Sequence, residues 1–447
     1  MSIYTVIPGS IDTIKLEDDV EENTTKIADL SSDFSGIDLS AMIESNEINT
    51  EKNIVLADSL KKSIYRTELK RQASDAEADD YFGHSVSIDG DYCIVGAYHE
   101  DTGASNAGAA YVFHRTGINT WDAGTKIQAS ATEANDYFGR SVSIFGDYCI
   151  VGADGEDIGG SAYIFHRIGT NTWDAGTKIV SSDIEASDLF GSSVSIDEDY
   201  CIVGATGEDT GGSVAGAAYI FHRTGTNTWD AGTKIVASDA QAHDYFGISV
   251  SIDGDYCIVG ASFEDTGGSD AGAAYIFHRT GLNTWDAGTK IVASDAEAND
   301  SFGNSVSVYG DYCIVGAFYE DAGGASNAGS AYIYHRTGTN TWDAGIKIVA
   351  SDAEAGDLFG YSVSIYGDCC IVGAYRESTG GSYAGAAYAF YRTGTNTWDA
   401  GTKIVASDAE ANDQFGIAVS VNKNNCIVGA FYDDDAGAVY IYKLPTY

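Results

Sequence analysis

The dipeptide Phe-Gly recurs seven times in this 447-residue chain: Phe82–Gly83, Phe138–Gly139, Phe190–Gly191, Phe246–Gly247, Phe302–Gly303, Phe359–Gly360 and Phe415–Gly416. The intervals are 56, 52, 56, 56, 57 and 56 residues. A constant period of this size marks a repeat architecture, in which each unit packs on its neighbours around one continuous core. Length therefore does not translate into a count of independent domains.

The fourth copy, DYFGISVSIDGDYCIVGASFEDTGGSDAGAAYIFHRTGLNTWDAGTKIVAS (244–294), parses into four strands. The first is 248–252. The second is 256–261, reached through Asp253–Gly254, a pair suited to a two-residue hairpin turn. The third is 273–279, after a glycine-rich loop, and the fourth is 284–293. Alternation predicts that Trp285, Ala287, Thr289 and Ile291 share one face of that last strand. With 53 glycines, 29 tyrosines and only Pro8 and Pro445, the composition suits short strands and tight turns. No helix-length segment of 3.6 periodicity separates the strands, which excludes a parallel βαβ sheet. Four-stranded units repeated seven times predict an all-β, seven-bladed β-propeller; a β-solenoid needs shorter coils and ranks second.

The ends test this reading. The seventh copy stops after its third strand and lacks TWDAGTKIVAS, while ELKRQASDAEADDYFG (68–83) aligns with TKIVASDAEANDYFG of the middle copies. Residues near Tyr65–Gln72 are expected to supply the missing outer strand of the last blade. That strand closes the ring and removes an open edge. The expected domains are an N-terminal arm, 1–62, and the propeller, 63–447.

The run FGHSVSIDGDYCIVGA (82–97), repeated through FGIAVSVNKNNCIVGA (415–430), resembles the FG-GAP repeat family over about 63–447. The resemblance implies a seven-bladed propeller like the head of integrin α-subunits, with roles in adhesion and ligand binding. Two departures stand out. The proline of Gly-Ala-Pro is absent. So is the Asp-rich calcium loop between strands one and two, and hairpins such as Asp89–Gly90–Asp91 are too short to supply the six to eight oxygens calcium takes.

The formal charge, 24 − 66 = −42, repels nucleic acid and anionic lipid and favours solubility, cations and basic partners. No window reaches the roughly 18 apolar residues of a spanning helix. The first residues lack the basic and apolar regions of a secretory signal. Cys93, Cys149, Cys201, Cys257, Cys313, Cys370 and Cys426 occupy one place in strand two of successive blades. Equivalent points on adjacent blades lie beyond the ~7 Å limit for a disulfide. With Cys369 they read as buried, unpaired thiols, which suits synthesis in a reducing compartment. The compartment itself stays open, a cell or particle surface included.

Three repeated polar sets are candidates for chemistry. His114, His166, His222, His278 and His335 end strand three, each before an Arg; one per blade cannot converge on a metal, so they read as strand-end groups whose Arg pairs with an Asp. Six tryptophans, from Trp121 to Trp398, open strand four and suit either packing between blades or a glycan surface. The loops between strands two and three carry acidic pairs, including Glu100–Asp101, Glu156–Asp157 and the run Asp433–Asp434–Asp435. With the aspartates preceding each Phe-Gly they form an acidic crown on one face. That crown suits Ca2+ or a basic partner, or else a solvated rim whose Asp residues shape turns.

Between the strand-two Ala and the strand-three Tyr, blades two and seven are four residues shorter than blade one. A specific ligand is expected there, near the singular residues His84, His99 and Arg140. Nearly every other polar group comes in about seven copies, whereas catalysis needs a unique constellation, so no enzyme is expected. The expected function is a binding or adhesion module for a protein or glycan partner. The alternative is a structural surface component of a larger assembly, anchored by residues 1–62. Within that arm Leu56, Leu60 and Ile64 fit a short helix capped by Thr50.

Overall fold

The computed structural model describes residues 68–444 and, before them, two strands, Ser2–Ile7 and Ser10–Lys15. Those two pair antiparallel, Ser2 opposite Lys15 and Ile7 opposite Ser10. The expected helix near Leu56 lies outside the described residues.

Residues 68–444 form seven antiparallel sheets arranged as a propeller. Blade four shows the plan. Val250–Asp253 pairs with Tyr256–Ala261, which pairs with Ala273–Gly281. The innermost strands touch their neighbours all the way round, and that of the last blade (Val419–Val421) touches that of the first (Ser85–Asp89), so the ring is closed. The last blade has the order Glu68–Arg71, Ala438–Lys443, Asn425–Ala430, Val419–Val421. Its outer strand is thus the one borrowed from before the first copy, as expected.

The fourth strand differs from expectation. It is not continuous over 284–293 but splits into Thr284–Trp285 and Thr289–Ile291, both paired with Ala273–Gly281. The break is an Asp-Ala-Gly bulge. The Asp286 carboxylate accepts hydrogen bonds from the Gly288 and His278 amides at 3.0 and 3.1 Å. Gly288 takes φ +76°, and a Cβ there would meet the Phe277 ring at 2.8 Å. The alternation rule fails here because an extra turn resets the phase of the strand.

The core lies between blades, not within them. Tyr200, Ile202 and Ile220 of blade three pack with Phe246, Cys257, Val259 and Tyr275 of blade four. The same layer closes the ring, where Ile427, Val439 and Ile441 of blade seven meet Phe82, Val95 and Trp121 of blade one. The Phe-Gly and Gly-Ala motifs meet at this seam. A Cβ on Gly96 would sit 2.0 Å from the Gly139 carbonyl oxygen of the next blade. Only a residue without a side chain permits that backbone approach.

A second seam joins the innermost strands. Ser87 Oγ accepts from the Ile144 amide at 3.1 Å, and Ser143, Ser195, Ser251, Ser307, Ser364 and Ser420 do the same to the blade that follows each. The last of these, Ser420 to Ile88, joins blade seven to blade one.

All eight cysteines are free and buried, as their placement predicts. Burial raises the Cys369 thiol to about 12 and Cys93 higher still, so they act as packing groups.

Candidate functional site

The repeated polar sets are absorbed into structure. In blade one Lys126 Nζ lies 2.7 Å from the buried Glu100 and 2.8 Å from Asp75 of the incoming linker, while the Tyr111 hydroxyl donates to Asp75 at 2.7 Å. The cluster recurs as Lys234 with Glu208 and Asp183, and as Lys403 with Glu377 and Asp352. In blade two Ala131 replaces the linker aspartate, and Asp157, turned inward at φ +55°, reaches Lys178 at 2.5 Å beside Glu156.

The crown is therefore not a uniform acidic surface. Glu100, Glu156 and Asp433 are buried and neutralised by lysine, which sits where a bound cation would have to be. Among the described residues no group of three or more His, Cys, Asp or Glu is placed to hold a metal ion. Asp101 accepts from the Asn106 amide at 2.6 Å, a turn-forming role. Asp434 pairs with Lys70 at 3.0 Å, and Asp435 lends its backbone carbonyl to the Asp79 amide at 2.9 Å.

The strand-three histidines stack on tyrosine: His114 on Tyr92 at 4.6 Å and His166 on Tyr148 at 4.7 Å between centroids. The following arginine pairs with an Asp of its own blade and, in blades two to six, covers the Tyr of the preceding one; Arg167 pairs with Asp147 and lies 4.1 Å over Tyr92. The tryptophans pack between blades. Trp229 meets Tyr148 of the preceding blade edge-on at 6.5 Å, and Trp121 is buried at the closure seam.

The singular residues behave differently. The residue after each Phe-Gly and the two after each Gly-Ala stand where the innermost strand begins, at one mouth of the ring that these strands close. In blades one and two these positions bring His84, Tyr98, His99 and Arg140 together. His84 lies 4.6 Å from Tyr98 and 5.7 Å from Phe431 of blade seven. His99 lies 4.4 Å from both Tyr98 and Tyr81, and Tyr81 continues to Tyr432 at 5.3 Å. The Arg140 guanidinium lies 4.9 Å over the Tyr98 ring. Its nearest carboxylate contact, to Asp154, is 3.8 Å at Nε, longer than a hydrogen bond. A second aromatic arc, Phe318, Tyr361 and Tyr375, continues the wall through blades five and six.

This mouth holds perturbed groups. Burial, reinforced by the charge of Arg140, pushes His84 down to about 3, and its Nδ1 is buried without a partner. The same two effects lower His99. Burial raises Asp154, whose Oδ1 is likewise buried and unpartnered, and raises Tyr361 to about 12. The imidazoles are thus neutral at physiological pH, and Arg140 carries the positive charge among them. The structure places His84, His99 and Arg140, the singular residues expected near the short loops of blades seven, one and two, around Tyr98. The expectation missed Tyr98, Asp154 and Tyr361. The signal for these was present as the variable residue following each Gly-Ala or Phe-Gly in an otherwise constant text.

The seven sheets and the Phe-Gly and Gly-Ala seam define a seven-bladed propeller of closely repeated units. A family model for the FG-GAP repeat matches residues 66–113, 121–165, 173–221, 229–277, 285–334, 342–390 and 398–442, and the chain belongs to that family. No curated protein matches it. Among the described residues no helix is long and apolar enough to cross a membrane.

Proposed function

We propose that this propeller is a non-catalytic binding module that takes a protein or glycan ligand at the axial mouth formed by blades seven, one and two. The observation that carries the reading is a division of labour. Polar groups present once per blade are spent on lysine clusters, turns and seams, whereas His84, His99 and Arg140 each occur once at their repeat positions and converge around Tyr98. Ligand sites combine aromatic walls with a few oriented polar groups, and this mouth has both. Neutral imidazoles and the Arg140 guanidinium give recognition chemistry.

The test is capture of ligands by the full chain on glycan and protein arrays, set against Tyr98→Ala and Phe431→Ala variants. Ligands lost by both variants and kept by a distant surface variant, Asp255→Asn, place recognition at the mouth. Capture that ignores both mouth substitutions removes the site from consideration.

A further inference from the structure

Nine arginines among residues 71–392 can be compared by what they bond; Arg71 donates to the backbone carbonyls of Lys70 and Trp121 at 2.9 and 3.0 Å. Arg115, Arg167, Arg223, Arg279, Arg336 and Arg392 each pair with an aspartate of their own blade. Arg140 and Arg376 donate no hydrogen bond to a carboxylate. Both lie at the same mouth, Arg140 over Tyr98 and Arg376 5.4 Å over Tyr375. In a chain carrying 66 carboxylates against 24 lysines and arginines, two arginines at one mouth, neither hydrogen-bonded to an acid, are a specific deficit. Arg140 is the more confined: its side chain is 39% exposed and its guanidinium lies over the Tyr98 ring.

A guanidinium offers five donors in a planar fork that matches a carboxylate bidentately, and it binds better where water is partly excluded. Stacking on Tyr98 fixes the plane of the fork and leaves its edge for a ligand. We propose that the mouth binds the carboxylate of a singly charged acidic sugar, with Arg140 holding the anion and Tyr98, with the aromatic rings beside it, carrying the sugar body. This deepens the binding reading above and rests on it.

Two physical arguments narrow the ligand. The net charge of −42 repels polyanions over long range, so only a ligand with one localised negative charge reaches Arg140 at low cost. The tyrosines present ring faces together with hydroxyls, which suits a body with an apolar face and a hydroxylated edge better than a purely apolar acid.

The experiment titrates the full chain with methyl β-glucuronide and with N-acetylneuraminic acid methyl glycoside, each against its own carboxyl methyl ester, by calorimetry and ligand-observed NMR. The expected result is at least tenfold weaker binding of the ester for one of the sugars. Arg140→Gln brings the acid down to the ester's affinity and leaves the ester's unchanged, while Arg140→Lys restores part of the difference. The thermal midpoint of Arg140→Gln stays at the wild-type value, which separates lost recognition from lost folding. Equal binding of acid and ester, abolished by Tyr98→Ala, overturns the anion assignment while leaving the mouth as the site. Equal binding that Tyr98→Ala does not touch overturns both. Absence of binding by all four compounds overturns the sugar assignment.

Discussion

Lys70 Nζ lies 2.7 Å from Asp433, 363 residues away in sequence, in the same position relative to its blade that Lys126 holds to Glu100. The borrowed strand thus delivers not only backbone pairing but the lysine that every other blade draws from its own fourth strand. Asp408 and Asp434 complete the set at 2.9 and 3.0 Å. Against the cost of burial, hydrogen bonds to Asp433, Asp408 and Asp434 raise the Lys70 pKa, so the cation persists throughout the working range.

Lys70→Met leaves the buried Asp433 carboxylate without its cation. Breaking such a pair costs about 3 kcal/mol, somewhat less here because Lys70 is partly exposed. The double variant Lys70→Met/Asp433→Asn should recover part of the loss. Denaturant titration of the three proteins checks this, and a double variant no more stable than the single one would contradict the pairing.

Gly139 and Gly146 both adopt positive φ, +95° and +57°, but differ in surroundings. A Cβ at Gly139 would lie 2.3 Å from the Ala109 carbonyl oxygen, whereas Gly146 has nothing within 4 Å. Gly146→Ala should cost only the left-handed backbone penalty, about 1 kcal/mol. Gly139→Ala adds a backbone clash between blades and should cost more than about 3 kcal/mol, or prevent folding. Thermal melts of the two variants decide it, and equal costs would refute the seam.

Ser143→Ala removes the acceptor of the Ile196 amide. An inner-strand donor left unpaired costs about 1–3 kcal/mol. Amide exchange at Ile196 should accelerate by at least tenfold relative to Ile202, which lies in strand two of the same blade. Unchanged protection at Ile196 would show that the serine ring adds nothing.

Stability should depend on pH in two opposed ways. Burial raises Asp80, Asp197, Asp244 and Asp300 to about 6. Between their unfolded value near 4 and that folded value the native state binds more protons, so stability rises as pH falls from 7 towards 4. Against the penalty of burial, hydrogen bonds from lysine and tyrosine hold Asp75, Asp183, Asp239, Asp295, Asp352 and Asp408 below their ordinary value. Their contribution is complete above the unfolded value and is lost as pH falls through the folded one. The melting temperature should therefore peak near pH 4 to 5 and drop below it. A monotonic fall from pH 7 downward would show that the buried aspartates are ionised at no cost.

The repeat made much of this legible. Seven Phe-Gly dipeptides, a four-strand parse and a truncated last copy were enough for the blade count and for closure by residues near 65–72, where the strand Glu68–Arg71 lies. The local pattern of a strand is dictated by neighbours in sequence, and identical copies must solve the same packing problem. The site was legible only by exception: His84, His99 and Arg140 stood out because the text around them is constant, yet nothing in their spacing says that they touch.

The sequence by itself determined the ring, its seven units and the strand that returns to close it, because period, alternation and glycine placement are local. Tertiary structure decided which acids are surface and which are buried. Glu100 and Asp101 are adjacent in sequence, but one faces Lys126 and the other a turn. It also decided that Arg140 of blade two lies over a tyrosine of the blade before it. Contacts between blades join residues about 50 positions apart, and no rule of local periodicity reaches that far.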